Sequence, residues 1–207
     1  MTDLFPGTIE TDRLRLELVH PDTVDLFEFY EAAGNSPDLE EVTRYLTWEP
    51  HETPKDTLEF VEHVDEQYEN AEGATYVVRP REGEDGAGQF AGVAGFAVEW
   101  ERKTVTTGTW LLKPFWGRGY SGERAAAMME LAFERLDLDL VAVTAHVDNE
   151  KSNRAIRTYV EAHGGSEEGT LRNWLTYGGE VGDVNRYTVS AEEWEASTRD
   201  VTVRFAD

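Results

Sequence analysis

Apolar side chains recur along this chain at two periods, and the switches between them mark out its elements. Between Thr8 and Leu18, Leu14 and Leu16 alternate with Arg13 and Arg15, the period of a strand with one buried face. Pro21-Asp22 then opens a helix on which Val24, Phe27 and Tyr30 recur at helical spacing, as far as the breaker Gly34-Asn35-Ser36-Pro37. A second helix starts at Thr53-Pro54, with Thr53 as its cap and Leu58, Val61, Val64 and Tyr68 as its apolar stripe. From Ala74 the period becomes two, and residues 75–79, 90–100 and 104–112 read as strands of an antiparallel meander. The segment 81–88, rich in glycine and acids, reads as a mobile hairpin tip.

The second half alternates helix and strand. A helix from Gly119 to Arg135 places Ala125, Met128, Met129, Ala132 and Leu136 on one face. A short apolar strand, Val141 to Val147, ends at Asp148-Asn149. The helix after it, from about Lys151 to His163, turns Ala155, Ile156, Tyr159 and Val160 inward and stops at Gly164-Gly165. Strands at Glu167 to Trp174 and Asn185 to Ser190 and a helix at Ala191 to Ser197 complete a mixed α/β pattern. With no repeat and no linker in sight, residues 1–207 are expected to form a single domain.

Composition narrows the classes of function. The chain has no cysteine, so disulfides, thiolate metal sites and thiol nucleophiles are excluded. No stretch of about 18 apolar residues and no export signal stands out, which leads to the expectation of a cytoplasmic protein without membrane attachment. The net charge is −23, from 42 acidic against 19 basic residues, and only four of the latter are lysine. An acidic excess this dispersed makes nucleic acid an unsuitable partner and fits a halophilic, salt-rich cytoplasm. At about 1 M salt the Debye length is about 3 Å, so long-range steering of cationic substrates is weak there.

One stretch carries the chemistry. In Trp116-Gly117-Arg118-Gly119-Tyr120-Ser121-Gly122, three glycines stand between a strand and a helix start, where free N–H groups favour an anion, most often a phosphate. Gly117-x-Gly119-x-x-Gly122 with Asp148 downstream matches a dinucleotide fingerprint in letters. The spacer Lys113-Pro114-Phe115-Trp116 and the preceding meander do not suit that fold, which turns almost directly out of a parallel strand.

A broader resemblance covers nearly the whole chain. Residues 8–16, Gly108 to Tyr120, Asn149 to Ile156, Glu168 to Arg172 and Asp183 to Trp194 resemble successive segments of the GNAT N-acetyltransferases, in their ribosomal-protein (RimJ/RimL-like) branch. The resemblance implies a mostly antiparallel central sheet with flanking helices, splayed between its fourth and fifth strands (residues 104–112 and 141–147). It implies acetyl-CoA as co-substrate, no metal, and direct transfer of the acetyl group to an amine acceptor, a protein N-terminus or a small amine. Gly117, Arg118, Gly119, Tyr120, Ser121 and Gly122 then hold the pyrophosphate, with Ser121 standing where the family has glycine or alanine. The backbone of Trp110, Leu111 and Leu112 holds the pantetheine arm, and Asn149 contacts the cofactor unless it only caps a helix.

For the departing thiolate the resemblance offers Ser152 or Tyr159 as acid. Glu99 is a candidate base if it faces the cleft, since Thr106 or Thr107 occupies the position where the branch often has glutamate. An α-amine, with a pKa near 8, needs little help and a water relay can suffice. His146 is expected to be a packed histidine, and His20, His51, His63 and His163 have no metal-ligand spacing. Homodimerisation is compatible with this reading. The alternatives are a non-catalytic acyl-CoA-binding module and a nicotinamide dinucleotide binder.

Overall fold

The structure, a computed structural model, describes residues 4–206. Its frame is one sheet of β1 (Thr8–Glu10), β2 (Leu14–Leu18), β3 (Gly73–Pro80), β4 (Gly92–Glu99), β5 (Thr104–Leu111), β6 (Leu140–His146), β7 (Ser166–Tyr177), β8 (Glu180–Ser190) and β9 (Arg204–Ala206). The strands lie in the order β7-β8-β6-β5-β4-β3-β2-β1-β9. Every neighbouring pair is antiparallel except β5 with β6. A single parallel pair in an antiparallel sheet rules out the doubly wound dinucleotide fold, which needs a run of parallel strands.

The helices are α1 (Leu26–Tyr30), α2 (Leu39–Thr43), α3 (Pro54–Glu69), α4 (Tyr120–Glu130), α5 (Glu150–Ala162) and α6 (Ala191–Ala196). Strand alternation splits the core between the two faces of the sheet. On one face Tyr76, Val105, Val141, Val143 and Tyr187 pack with Met128 of α4 and Ile156 and Val160 of α5. On the other, Val77 and Val93 pack with Phe29 of α1 and Val61 and Val64 of α3. The meander, the capped α3 and the α4-β6-α5 succession are where the hydrophobic pattern puts them.

Three expectations change. The opening strand is two, because Thr11 N–H bonds the Leu14 carbonyl at 2.8 Å and folds residues 8–18 into a hairpin. The first helix begins at Leu26, not near Pro21, because the Asp25 side chain accepts the N–H groups of Phe27 and Glu28; its phase buries Phe29 and leaves Phe27 66% exposed. The 81–88 segment is pinned, since Tyr120 Oη donates to Glu84 and Arg118 Nη1 to the Asp85 carbonyl, both at 2.7 Å. The short strand β9 and the single-turn α2 carry too few residues for a periodic signal.

Candidate active site

The glycine turn joins β5 to α4. Gly117 and Gly119 have φ of 73° and 80°, and a Cβ placed on Gly117 meets nothing within 4 Å, so the turn leaves an open concavity. No side chain caps α4, and the N–H groups of Tyr120 and Ser121 have no acceptor within the chain among the described residues. Gly122 N–H is already bonded to the Gly119 carbonyl at 3.1 Å. Unspent donors at the positive end of a helix fit a diphosphate. The Arg118 side chain turns away from this concavity to Asp85, leaving its backbone to face the turn.

The turn is braced from below by residues that no motif singled out. Glu123, 6% exposed, accepts from Thr11 Oγ1 (2.6 Å), from Arg13 N–H (2.7 Å) and from Arg13 Nε (2.7 Å). Arg13 Nη1 then donates to the Arg118 carbonyl at 2.9 Å. In the sequence Glu123 reads as an acid off the apolar face of its helix, and no spacing links it to Arg13, which lies in the turn between β1 and β2.

Beside the turn the sheet opens. β5 and β6 pair only from Thr104↔Leu140 to Thr106↔Ala142; beyond that, residues 107–111 and 143–146 diverge into a cleft. Leu112 N–H is donated to the Ala91 carbonyl at 2.8 Å, so by ladder alternation Trp110 also turns its backbone to β4. Thr109 and Leu111 turn theirs to the cleft. Of the three residues assigned to the pantetheine arm, therefore, only Leu111 offers its backbone there, and its carbonyl already accepts Trp116 Nε1 at 2.7 Å. Leu111 N–H and the backbone of Thr109 are the groups that remain.

The candidates for acid and base separate clearly. Glu99 lies at the closed end of the cleft, opposite Thr104, with its side chain 52% exposed and bonded to Arg102 at 2.8 Å. It does not face the cleft, and the base role assigned to it is corrected on that ground. Asn149 caps α5, accepting Ser152 N–H at 3.1 Å, and so fixes Ser152 in the first turn beside the cleft. Tyr159 is 6% exposed, with its Cβ against Gly122 and its hydroxyl unbonded beside the buried guanidinium of Arg124. Burial pushes the Tyr159 phenol up, opposed by the Arg124 charge, and burial pushes Arg124 down. Ser152 is half-buried where Tyr159 is buried.

Asn153 is the buried node of this end of the molecule. Its Nδ2 donates to the His146 and Asn149 carbonyls at 2.8 and 2.9 Å, and its Oδ1 accepts from Tyr187 Oη at 2.9 Å. It sits three and seven residues before Ile156 and Val160, so helical spacing put it on the inner face. His146 is packed, stacked on Tyr45 with ring centres 5.1 Å apart and edge-on to Tyr177 at 4.9 Å, while its Nδ1 accepts Asp148 N–H at 3.1 Å. Trp48 packs against Trp110 with ring centres 5.2 Å apart.

Residues 13–159, more than half of the chain, match the family model described as Acetyltransferase (GNAT) domain. The chain belongs to the GNAT acetyltransferase family. "Putative ribosomal N-acetyltransferase YdaF" of Bacillus subtilis is 38% identical over 88 residues, 42% of this chain and 46% of that protein. The match thus spans less than half the length of this curated relative. Among solved structures, RimL, a ribosomal L7/L12 alpha-N-protein acetyltransferase in complex with coenzyme A, superposes with a TM-score of 0.71 at 21% identity, over 86% of this chain and 94% of RimL. The microcin C7 self immunity acetyltransferase MccE, in complex with acetyl-CoA and AMP, gives 0.70 at 21% identity, over 86% of this chain and 93% of MccE. These two likenesses carry the GNAT fold, with its large, mostly antiparallel sheet and flanking helices. No helix among the described residues is long and apolar enough to cross a membrane.

Proposed function

We propose that this protein transfers the acetyl group of acetyl-CoA directly to a primary amine, a protein N-terminus or a small amine. The observation that carries the reading is the uncapped start of α4, where Tyr120 and Ser121 present free N–H groups above the Gly117 concavity at the mouth of the β5–β6 cleft. The names of YdaF and RimL favour a protein N-terminus as the acceptor.

The turn from Gly117 to Gly122 holds the cofactor's diphosphate, and the backbone of Thr109 and Leu111 receives the pantetheine arm as an added strand receives its neighbour. Leu111 N–H polarises the thioester carbonyl and stabilises the oxyanion as the amine nitrogen attacks. The C–S bond then breaks, and the Ser152 hydroxyl hydrogen-bonds the departing sulfur. A protein α-amine loses its proton near pH 8, so water in the cleft suffices as its acceptor. The acidic shell is part of the same reading, as adaptation to a salt-rich cytoplasm. A thermal-shift plate tests the cofactor: CoA and acetyl-CoA are expected to raise the melting temperature and NAD(H) is not, whereas the reverse pattern removes the assignment.

A further inference from the structure

Two of the four lysines in the chain stand on opposite banks of the cleft. Lys113 follows β5 and Lys151 lies in the first turn of α5, after β6. Between them, one carboxylate from α2 uses both of its oxygens: Glu41 Oε2 is 2.7 Å from Lys113 Nζ and Oε1 is 3.0 Å from Lys151 Nζ. Asp38 Oδ1 adds a contact to Lys113 at 3.1 Å. Lys151 Nζ also lies 4.6 Å from the centre of the Trp116 ring, the residue that opens the glycine turn. The other two lysines pair locally and away from the cleft, Lys55 with Glu59 one helical turn on and Lys103 with Asp137 and Asp139.

An oxyanion that accepts one ammonium on each of two oxygens is a geometry that a phosphate satisfies equally well, with a further oxygen and more charge. We propose that Lys113 and Lys151 are a second phosphate-binding point at the mouth of the cleft, and that Glu41 is the internal anion that occupies it until a cofactor phosphate takes its place. The proposal rests on the acetyl-CoA reading and adds to it residues outside the glycine turn. Lys113 and Lys151 hold the Glu41 carboxyl below the usual carboxylate range, so it is ionised and competes with phosphate throughout the neutral range. The side chains concerned are 40%, 43% and 74% exposed for Lys113, Glu41 and Lys151. Exposed ion pairs of this kind are weak and exchange readily.

Calorimetric titration of CoA, dephospho-CoA and pantetheine into wild type, Lys113→Ala, Lys151→Ala and Glu41→Gln tests this. Each lysine variant is expected to weaken CoA about three- to fivefold, the effect of losing one solvent-exposed charge pair. Glu41→Gln is expected to tighten CoA about two- to fivefold, by release of an exposed ion pair. Pantetheine, which carries no phosphate, is expected to bind all four proteins alike. If the lysine effect vanishes with dephospho-CoA, the point takes the 3′-phosphate; if it persists, it takes the diphosphate. CoA affinity within twofold of wild type in all three variants, or weaker CoA binding in Glu41→Gln, overturns the proposal. A wild-type protein that binds no CoA at all overturns instead the cofactor reading beneath it.

Discussion

Arg13 and Glu123, 110 residues apart in the chain, meet at 2.7 Å beneath the glycine turn and tie the first hairpin to the start of α4. Glu123 collects three donors while almost fully buried, whereas the Arg13 side chain is 39% exposed. Removing the carboxylate strands those donors in the interior. Glu123→Ala is therefore expected to cost about 3–5 kcal/mol and Arg13→Ala about 1–3 kcal/mol, measured by urea denaturation. Equal costs for the two would mean that the hub is not the acid.

Gly119→Val tests the turn itself. A β-branched residue at a φ of 80° is strained by about 1–2 kcal/mol, and its Cβ would stand 3.3 Å from Arg13 Nη2. The variant is expected to stay folded with a lower melting temperature and to lose CoA affinity by more than tenfold. Unchanged affinity, read by calorimetry, would remove the turn from the binding site.

Ser152 and Tyr159 are separated by their surroundings. The Tyr159 hydroxyl is sealed in beside Arg124, and burial raises its pKa; Ser152 sits half-buried in the first turn of α5. Ser152→Ala is expected to lower kcat by about a hundredfold, the low end of general acid catalysis, with Tyr159→Phe within about twofold of wild type. The opposite ranking in steady-state kinetics would return the role to Tyr159.

Much of this was legible in the sequence, and what was not has a physical cause. The β3-β4-β5 meander, the capped α3 and the uncapped glycine turn are local, so period and cap residues revealed them. The hub at Glu123 is not local: an acid on a helix reads as solvated until the β1–β2 turn, some 110 residues away, supplies its donors. The same holds for Asn153, whose partners Tyr187 and His146 lie on other strands. Glu99 was misplaced because a one-dimensional reading does not say at which end of the β5–β6 cleft a strand terminus falls. The hairpin tip at 81–88 looked mobile because its anchors, Arg118 and Tyr120, belong to the turn it leans on.

Two histidines are expected to contribute to the loss of stability in acid. Burial lowers the pKa of His51 and of His163, and His163 packs its ring 4.9 Å from that of Trp194. A depressed folded-state pKa means that the unfolded chain takes up protons first, from about pH 6.5 downward. Stability present above that value is then lost as the pH falls. His163→Phe is expected to flatten the fall in urea midpoint below pH 6.5; an unchanged slope would assign that fall to the carboxylates.

Self-repulsion at a net charge of −23 gives a further test. The Debye length shrinks from about 10 Å at 0.1 M salt to about 3 Å at 1 M, so the melting temperature is expected to climb steadily with KCl over that range. A flat or falling curve would separate the acidic surface from salt adaptation.

The central claim is acetyl transfer from CoA to an amine, and amine-dependent release of CoA thiol from acetyl-CoA measures it most directly. With peptide N-termini and small primary amines offered side by side, at least one acceptor is expected to release CoA in proportion to enzyme, with a matching gain of one acetyl group on the acceptor. Tight acetyl-CoA binding with no amine-dependent release across the whole panel would contradict the claim and leave a cofactor-binding module in its place.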